Sequence, residues 1–215
     1  MINLYTYFRS SAAFRVRIAL NYKQVQYHSI PVHLLRGGGE QHGASFGERN
    51  PARLVPVLED GALTLTQSLA IIEYLEETHP TPALLPREPF ARARVRALAL
   101  SIACDIHPLN NTRVLRYLKA PLGIDEEQRG AWSRHWIALG FAALEQELAR
   151  AGTAGACCYG DAPTLADCCL IPQVFNAQRV ECALEPFPTI RRIYEHCMRL
   201  ESFARAAPAA QGDAE

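Results

Sequence analysis

The apolar and polar positions of the first eighty residues alternate between two periods. Ile2 to Phe8 is a short apolar and aromatic run, which predicts a strand. From Ala12 to Tyr22, Phe14, Ile18 and Tyr22 recur at helical spacing, and Val16, Ala19 and Leu20 widen the stripe. Val25 to Val32 returns to a strand-like pattern, and Gly37-Gly38-Gly39 marks a flexible turn. Pro56 to Glu59 and Leu63 to Leu65 flank Asp60-Gly61, the arrangement of a hairpin. Ser68 to Thr78 then places Leu69, Ile72 and Leu75 at helical spacing. The order β-α-β, loop, β-β-α predicts a small α/β domain with a mixed sheet, the order of a thioredoxin-like fold. Order alone carries no function.

Pro80, Pro82, Pro86 and Pro89 crowd the next ten residues. Proline removes a donor and blocks helix continuation, so this stretch reads as a stiff linker. Beyond it Val95, Leu98, Ile102 and Ile106 form one face of a long helix, with Arg92, Arg94 and Arg96 facing elsewhere. Trp136, Leu139, Ala143, Leu144 and Leu148 form a face of another. No strand pattern of any length returns. The expected architecture is an α/β domain at residues 1–82 and an all-α domain at residues 88–207. The small polar tail from Ala206 to Glu215 is expected to fray.

A chain of 215 residues can bury a sizeable core. Lys plus Arg and Asp plus Glu both number 22, so the net charge is zero and leaves no electrostatic footprint for nucleic acid or an anionic membrane. No apolar run reaches the length of a membrane span. The N-terminus lacks the basic start and apolar stretch of a secretory signal, so a cytoplasmic location is expected. The seven cysteines are odd in number and none lies in a C-x-x-C, which argues against a disulfide framework or a zinc knuckle. The pairs Cys157-Cys158 and Cys168-Cys169 read as small hydrophobes, and no metal site is expected.

Four short motifs can carry either structure or chemistry. Ser10 and Ser11 lie between the first strand and the first helix. A serine there caps the helix, or donates to a thiolate held at the positive helix end. Val55-Pro56 starts a strand; a cis bond there would turn the main chain of Val55 toward an extended, peptide-like ligand. Gln67-Ser68 precedes a helix whose free N–H groups suit a carboxylate, or is again a cap. Thr164-Leu-Ala-Asp167 has capping-box spacing and reads as a folding element, with Pro172 expected to kink the helix that follows.

Together these segments resemble the zeta class of the glutathione transferases. Residues 7 to 20, Tyr-Phe-Arg-Ser-Ser-Ala-Ala-Phe-Arg-Val-Arg-Ile-Ala-Leu, are similar to that class's signature. So are Asn50-Pro51, Val55-Pro56-Val57, Thr66-Gln67-Ser68, Gly160-Asp161, Thr164 to Asp167 and Pro172-Gln173-Val174, in order along the chain. Cys104 to Asn111 resembles the bacterial branch. The resemblance implies a thioredoxin-like domain that holds glutathione, an all-helical substrate domain, and a homodimer. By position, it implies that Ser11 stabilises the glutathione thiolate with Ser10 beside it. Val55 would pair with the cysteinyl part, Gln67 and Ser68 would hold the γ-glutamyl carboxylate, and Gln41 and His107 would lie near the glycine end. The class usually has a cysteine after the two serines; here Ala12 stands there, so no role can rest on that thiol.

The implied reaction is glutathione-dependent cis–trans isomerisation of maleylacetoacetate to fumarylacetoacetate, in tyrosine and phenylalanine or aromatic-acid breakdown, by reversible thiolate addition to the cis double bond. Such dicarboxylate substrates suit the arginine fork, and Arg9, Arg179 and Arg113 are the candidates to bind them. Three other readings stay open at this point: a maleylpyruvate isomerase of a gentisate pathway, a general glutathione transferase, and a non-catalytic glutathione-binding module. A thiol–disulfide oxidoreductase needs a cysteine where Ala12 and Ala13 stand.

Overall fold

In this computed structural model, which describes residues 1–215, the N-terminal apolar run forms β1 (Ile2–Thr6) and leads into α1 (Ser11–Tyr22). The chain continues through β2 (Tyr27–Pro31), the short α2 (Ala44–Arg49), β3 (Val57–Asp60), β4 (Leu63–Thr66) and α3 (Ser68–Thr78). The four strands form one sheet in the order β2-β1-β3-β4. β1 and β2 are parallel, while β3 is antiparallel to both its neighbours. The mixed sheet matches the expectation from element order. β2 starts at Tyr27, two residues later than the pattern suggests, because Gln24 takes a left-handed φ of 57° to turn the chain out of α1. Asp60 pairs with Leu63, so the hairpin turns on Gly61-Ala62, and Gly61 supplies the φ of 60° that such a turn requires.

α1 packs on α3. Ala13, Phe14, Ile18 and Leu20 of α1 and Ile71, Ile72 and Leu75 of α3 are buried. A second apolar cluster joins Tyr5, Tyr7, Phe8, Val32, Phe46, Val55 and Val57. Residues 199–215 belong to this same compact unit with residues 1–84. The tail does not fray as its composition suggests. Ala206 is fully buried and its carbonyl accepts from Arg17 Nε at 2.9 Å, while Asp213 Oδ2 accepts from the Phe8 N–H at 3.1 Å. A polar tail stays ordered when its carbonyl and carboxylate satisfy buried donors elsewhere.

Residues 85–198 form the other unit, whose regular elements are all helices apart from one isolated bridge. α4 (Pro89–Leu100) is capped by Glu88, whose carboxylate accepts from the N–H groups of Phe90 and Ala91. It runs into a π-helical turn, Ser101–Ile106. Val95, Leu98, Ile102 and Ile106 are all buried, as their spacing predicts. After α5 (Thr112–Lys119) comes the long α6 (Glu126–Arg150), where the buried stripe differs from the expected one. It is Ser133, Ile137, Phe141, Leu144 and Leu148, whereas Leu139 is 56% exposed. Apolar residues cover more than one face of this helix, so spacing alone did not choose between faces. Trp132 and Trp136 meet edge to face instead, with Trp132 Nε1 donating to the Leu109 carbonyl at 2.8 Å.

α7 (Leu165–Arg179) packs on α4 and continues through Pro172. Asp167 Oδ2 accepts from the N–H and hydroxyl of Thr164, and its Oδ1 accepts from the Cys158 N–H at 2.8 Å. Burial pushes the Asp167 carboxyl up, and these donors pull against that shift. α8 (Pro188–Cys197) completes this unit, and α9 (Glu201–Ala204) opens the segment that packs with the first. Six of the seven cysteines are buried free thiols, and Cys104 is exposed.

Candidate active site

The sheet topology gathers the candidate residues of the first unit at one end. β1 leaves the sheet at Thr6, paired with Pro31, and runs into Ser10 and Ser11. β2 leaves at Pro31 toward the loop that carries Gln41. β3 runs antiparallel and enters at Val57, opposite Tyr5, so Val55 lies at that same end. β4 leaves at Thr66, paired with Val57, directly before Gln67 and Ser68. Crevices at the carboxyl ends of strands in open α/β sheets are where ligands bind.

The structure separates the roles of the two serines. Ser10 is the N-cap of α1; its Oγ accepts from the Ala13 N–H at 3.2 Å. Ser11 is the first helical residue and is buried, and its hydroxyl is not the cap. Arg17 fixes the segment that leads to them. Its fully buried guanidinium donates to Thr6 Oγ1, the Tyr7 carbonyl and the Phe8 carbonyl, at 2.9, 3.3 and 3.0 Å. Burial lowers its pKa to about 10. Arg9 is exposed and lies over the Phe8 ring, 4.9 Å from its centroid.

The Val55-Pro56 peptide bond is cis. β3 begins at Val57, which leaves the main chain of Val55 outside the ladder. The preceding turn is shaped by buried Asn50, which donates to the Leu54 carbonyl at 2.7 Å and accepts from the Ala52 N–H at 3.0 Å.

Gln67 has a left-handed φ of 70°, a conformation that a side-chain-bearing residue rarely adopts. Strained backbone of this kind gathers at functional sites. It is the N-cap of α3, yet no side chain caps this helix. The first-turn N–H groups therefore stay open to an anion. Ser68, 6% exposed, is backed by the buried Arg15, whose Nη1 donates to Ser68 Oγ at 3.2 Å. Neither Arg15 nor Arg17 was singled out by sequence reasoning. What could have marked them is two arginines inside the apolar run from Ala12 to Leu20.

Gln41 is buried and its Oε1 has no hydrogen-bond partner, while its Nε2 lies 3.4 Å from the Leu34 carbonyl. Gly39 makes this fold-back possible: a Cβ there would lie 2.6 Å from the Gln41 amide, and its φ is 110°. An uncapped helix end, a hydroxyl on a buried guanidinium and an orphaned amide oxygen suit a small peptide with a carboxylate at one end and polar groups along it.

In the second unit, His107 is half-buried and follows the π-helical turn, a distortion that often marks functional sites. Arg113 is exposed in the first turn of α5, and its N–H is capped by Asn111 Oδ1 at 3.0 Å. Arg179 is exposed at the end of α7, with Nη1 3.4 Å from Asn176 Oδ1. Cys157, Asp167 and Cys197 also converge here, with ligand atoms within 4.8 Å of one another. Asp167 Oδ2 serves the cap of α7 and its Oδ1 holds the Cys158 N–H, which gives the cluster a structural role.

Residues 4–83 match the family model of the glutathione S-transferase N-terminal domain. The chain is 54% identical, over 98% of its length and 97% of the relative's, to a probable maleylacetoacetate isomerase of Vibrio cholerae. It superposes with a TM-score of 0.96 on a bacterial maleylpyruvate isomerase described as a zeta-class glutathione transferase. That protein is 50% identical, over 99% of this chain and 100% of the other. A maleylacetoacetate isomerase from Methylobacterium extorquens, solved with malonate and GSH bound, gives a TM-score of 0.95 at 42% identity, with 99% of each chain covered. Identity at this level over the whole of both chains, on the sheet end and helix termini described above, places the chain in the zeta class of the glutathione transferase family.

Proposed function

We propose that this chain is a glutathione-dependent cis–trans isomerase that converts maleylacetoacetate to fumarylacetoacetate in aromatic catabolism. The observation that carries this reading is the uncapped N-terminus of α3 with Ser68 seated on Arg15, at the same sheet end as Ser11 and Val55. Bound glutathione supplies the thiolate nucleophile.

The residues of the chain do the rest. The Ser11 hydroxyl donates to the sulfur and, with the positive end of α1, favours its anionic form. Ser10 holds that helix end in place. The main chain of Val55 pairs with the cysteinyl part. Gln67, Ser68 and the α3 N–H groups hold the γ-glutamyl carboxylate, and Gln41 meets the glycine end, where His107 is a further candidate. Arg9, Arg179 and Arg113 are assigned to the carboxylates of the substrate; the malonate in the M. extorquens relative is also a dicarboxylate. Ala12 removes any thiol from this helix end, so the only sulfur the reaction needs comes from glutathione.

Maleylpyruvate is the second reading, favoured by 50% identity to a protein named for that activity. A spectrophotometric assay on both substrates, each with and without glutathione, decides between them through the ratio of kcat/KM values. Turnover that persists without glutathione, or no turnover by protein that binds it, overturns the isomerase reading. No helix is long and apolar enough to cross a membrane, and a cytoplasmic homodimer fits this function. Light scattering would test the dimer.

A further inference from the structure

We propose that Arg15 is a positioning residue that turns Ser68 into an obligate donor toward the α-carboxylate of the γ-glutamyl group. The inference rests on the reading of the α3 N-terminus as the glutathione carboxylate site.

A serine hydroxyl has one proton and two lone pairs, and elsewhere in a protein it can rotate to donate or accept. Ser68 does not have that freedom. Arg15 Nη1 donates to Ser68 Oγ at 3.2 Å, and a guanidinium has no acceptor to offer in return. The hydroxyl proton is therefore turned away from Arg15. Ser68 is the first residue of α3, whose end carries no side-chain cap, so the proton and the first-turn N–H groups belong to the same helix end. A carboxylate seated there accepts from all of them.

Charge sharpens the effect. A cationic donor on Oγ polarises the O–H bond and makes it a better donor to an anion. Arg15 is 2% exposed and Ser68 6%, so little solvent screens the pair. The sequence around Arg15 places it there by geometry. Phe14, Val16 and Ile18 are buried in the same helix, and α1 packs against α3. A long side chain from α1 thus reaches the start of α3. In this arrangement Arg15 acts through Ser68.

The test compares glutathione with two tripeptides. In one, 4-aminobutyrate replaces the γ-glutamyl residue and removes only the α-carboxylate; in the other, glutarate removes only the amine. Calorimetry with the wild-type enzyme should show a large loss of affinity for the first analogue and a smaller loss for the second. Arg15→Met should weaken glutathione binding by about 10- to 100-fold, the range for a charge-assisted hydrogen bond, and barely change binding of the 4-aminobutyryl analogue. Arg15→Lys, which keeps a cationic donor, should recover part of the loss. KM for glutathione should rise while kcat at saturating glutathione stays within about threefold. In a Ser68→Ala background, Arg15→Met should cost little more, because the two act as one unit.

Equal weakening of glutathione and the 4-aminobutyryl analogue by Arg15→Met would overturn the proposal, since that is what a merely structural residue does. Should Arg15→Met fail to fold, Arg15→Lys and Arg15→Gln ask the same question; undiminished discrimination in Arg15→Gln overturns it. A wild-type enzyme that does not discriminate against the 4-aminobutyryl analogue would instead overturn the carboxylate site itself, and the proposal with it.

Discussion

Lys23 Nζ lies 2.7 Å from Glu76 Oε2, and both side chains are buried. Lys23 also donates to the carbonyls of His79 and Pro82, at 2.8 and 2.9 Å, and Glu76 Oε2 accepts from the Leu84 N–H at 2.9 Å. The pair ties the end of α1 to the proline-rich stretch after α3. A buried charge left without its partner is costly. Glu76→Leu alone should cost about 3 kcal/mol or more in urea denaturation, whereas Lys23→Met with Glu76→Leu together should cost less than the two single changes summed. Additive losses would mean that the two charges are not coupled.

The two serines should separate in experiment as they do in structure. Ser10 is a cap, so Ser10→Ala should lower stability by about 1 kcal/mol and leave kcat/KM nearly intact. Ser11 is not the cap, so Ser11→Ala should lower kcat/KM by about 100-fold or more with little change in melting temperature. The reverse pattern would exchange the roles.

Arg179→Ala should raise KM for the dicarboxylate by about tenfold or more, and leave the glutathione Kd unchanged. The same change at Arg113 and Arg9 ranks the remaining candidates. An unchanged KM would remove Arg179 from the site.

The C-terminal segment contacts the chain just beyond β1 and β2, at the end of the sheet where those strands leave. Asp213 accepts from the Phe8 N–H, and Glu215 pairs with Arg36 and His33 at the start of the loop that carries Gln41. Deleting residues 212–215 should lower the melting temperature by about 2–5 °C and raise KM for glutathione several-fold. Exposed ion pairs contribute little, so most of the loss should reproduce in Asp213→Ala alone. A shortened protein with unaltered KM would show that the segment does not order the site.

Stability should fall above pH 9. Burial pushes the Cys158 thiol up, and for Cys197 the hydrogen bond with Cys157 does so first, followed by burial. The folded thiols keep their protons while unfolded ones lose them above an ordinary pKa of 9.0. Unfolding then releases protons, so stability that is complete below pH 9 is lost as pH rises. By pH 10 each of these two thiols should account for about 1.4 kcal/mol. Arg17, with its lowered pKa of about 10, works in the opposite sense above that pH, so the clean window is pH 9 to 10. Urea denaturation in a reducing buffer that is flat across this window would rule the effect out.

Short-range features were legible in the chain and stayed true in three dimensions. The alternation of periods, the hairpin, the Thr164–Asp167 box and the buried face of Val95, Leu98, Ile102 and Ile106 each depend on neighbours within a few residues. Local hydrogen bonds and side-chain period decide such features, so sequence spacing reports them. The motifs around Ser10, Val55 and Gln67 were also legible, because each joins a strand to a turn or a helix.

What spacing could not decide was which of several similar residues meets which distant partner. Two adjacent serines read alike until the helix start makes Ser10 the cap. α6 shows more than one apolar face, and only packing selects Ile137 and Phe141 over Leu139. Arg15 and Arg17 stand two apart in one helix, yet the first serves Ser68 and the second serves the carbonyls of Tyr7, Phe8 and Ala206. The polar tail looked loose because its partners lie about two hundred residues earlier in the chain. By itself the sequence determined the order of elements in the first domain, the family resemblance and the candidate chemistry, all of which local pattern encodes. The tertiary structure alone decided the pairing of buried charges and donors, because a guanidinium or carboxylate stays inside only where remote backbone groups satisfy it.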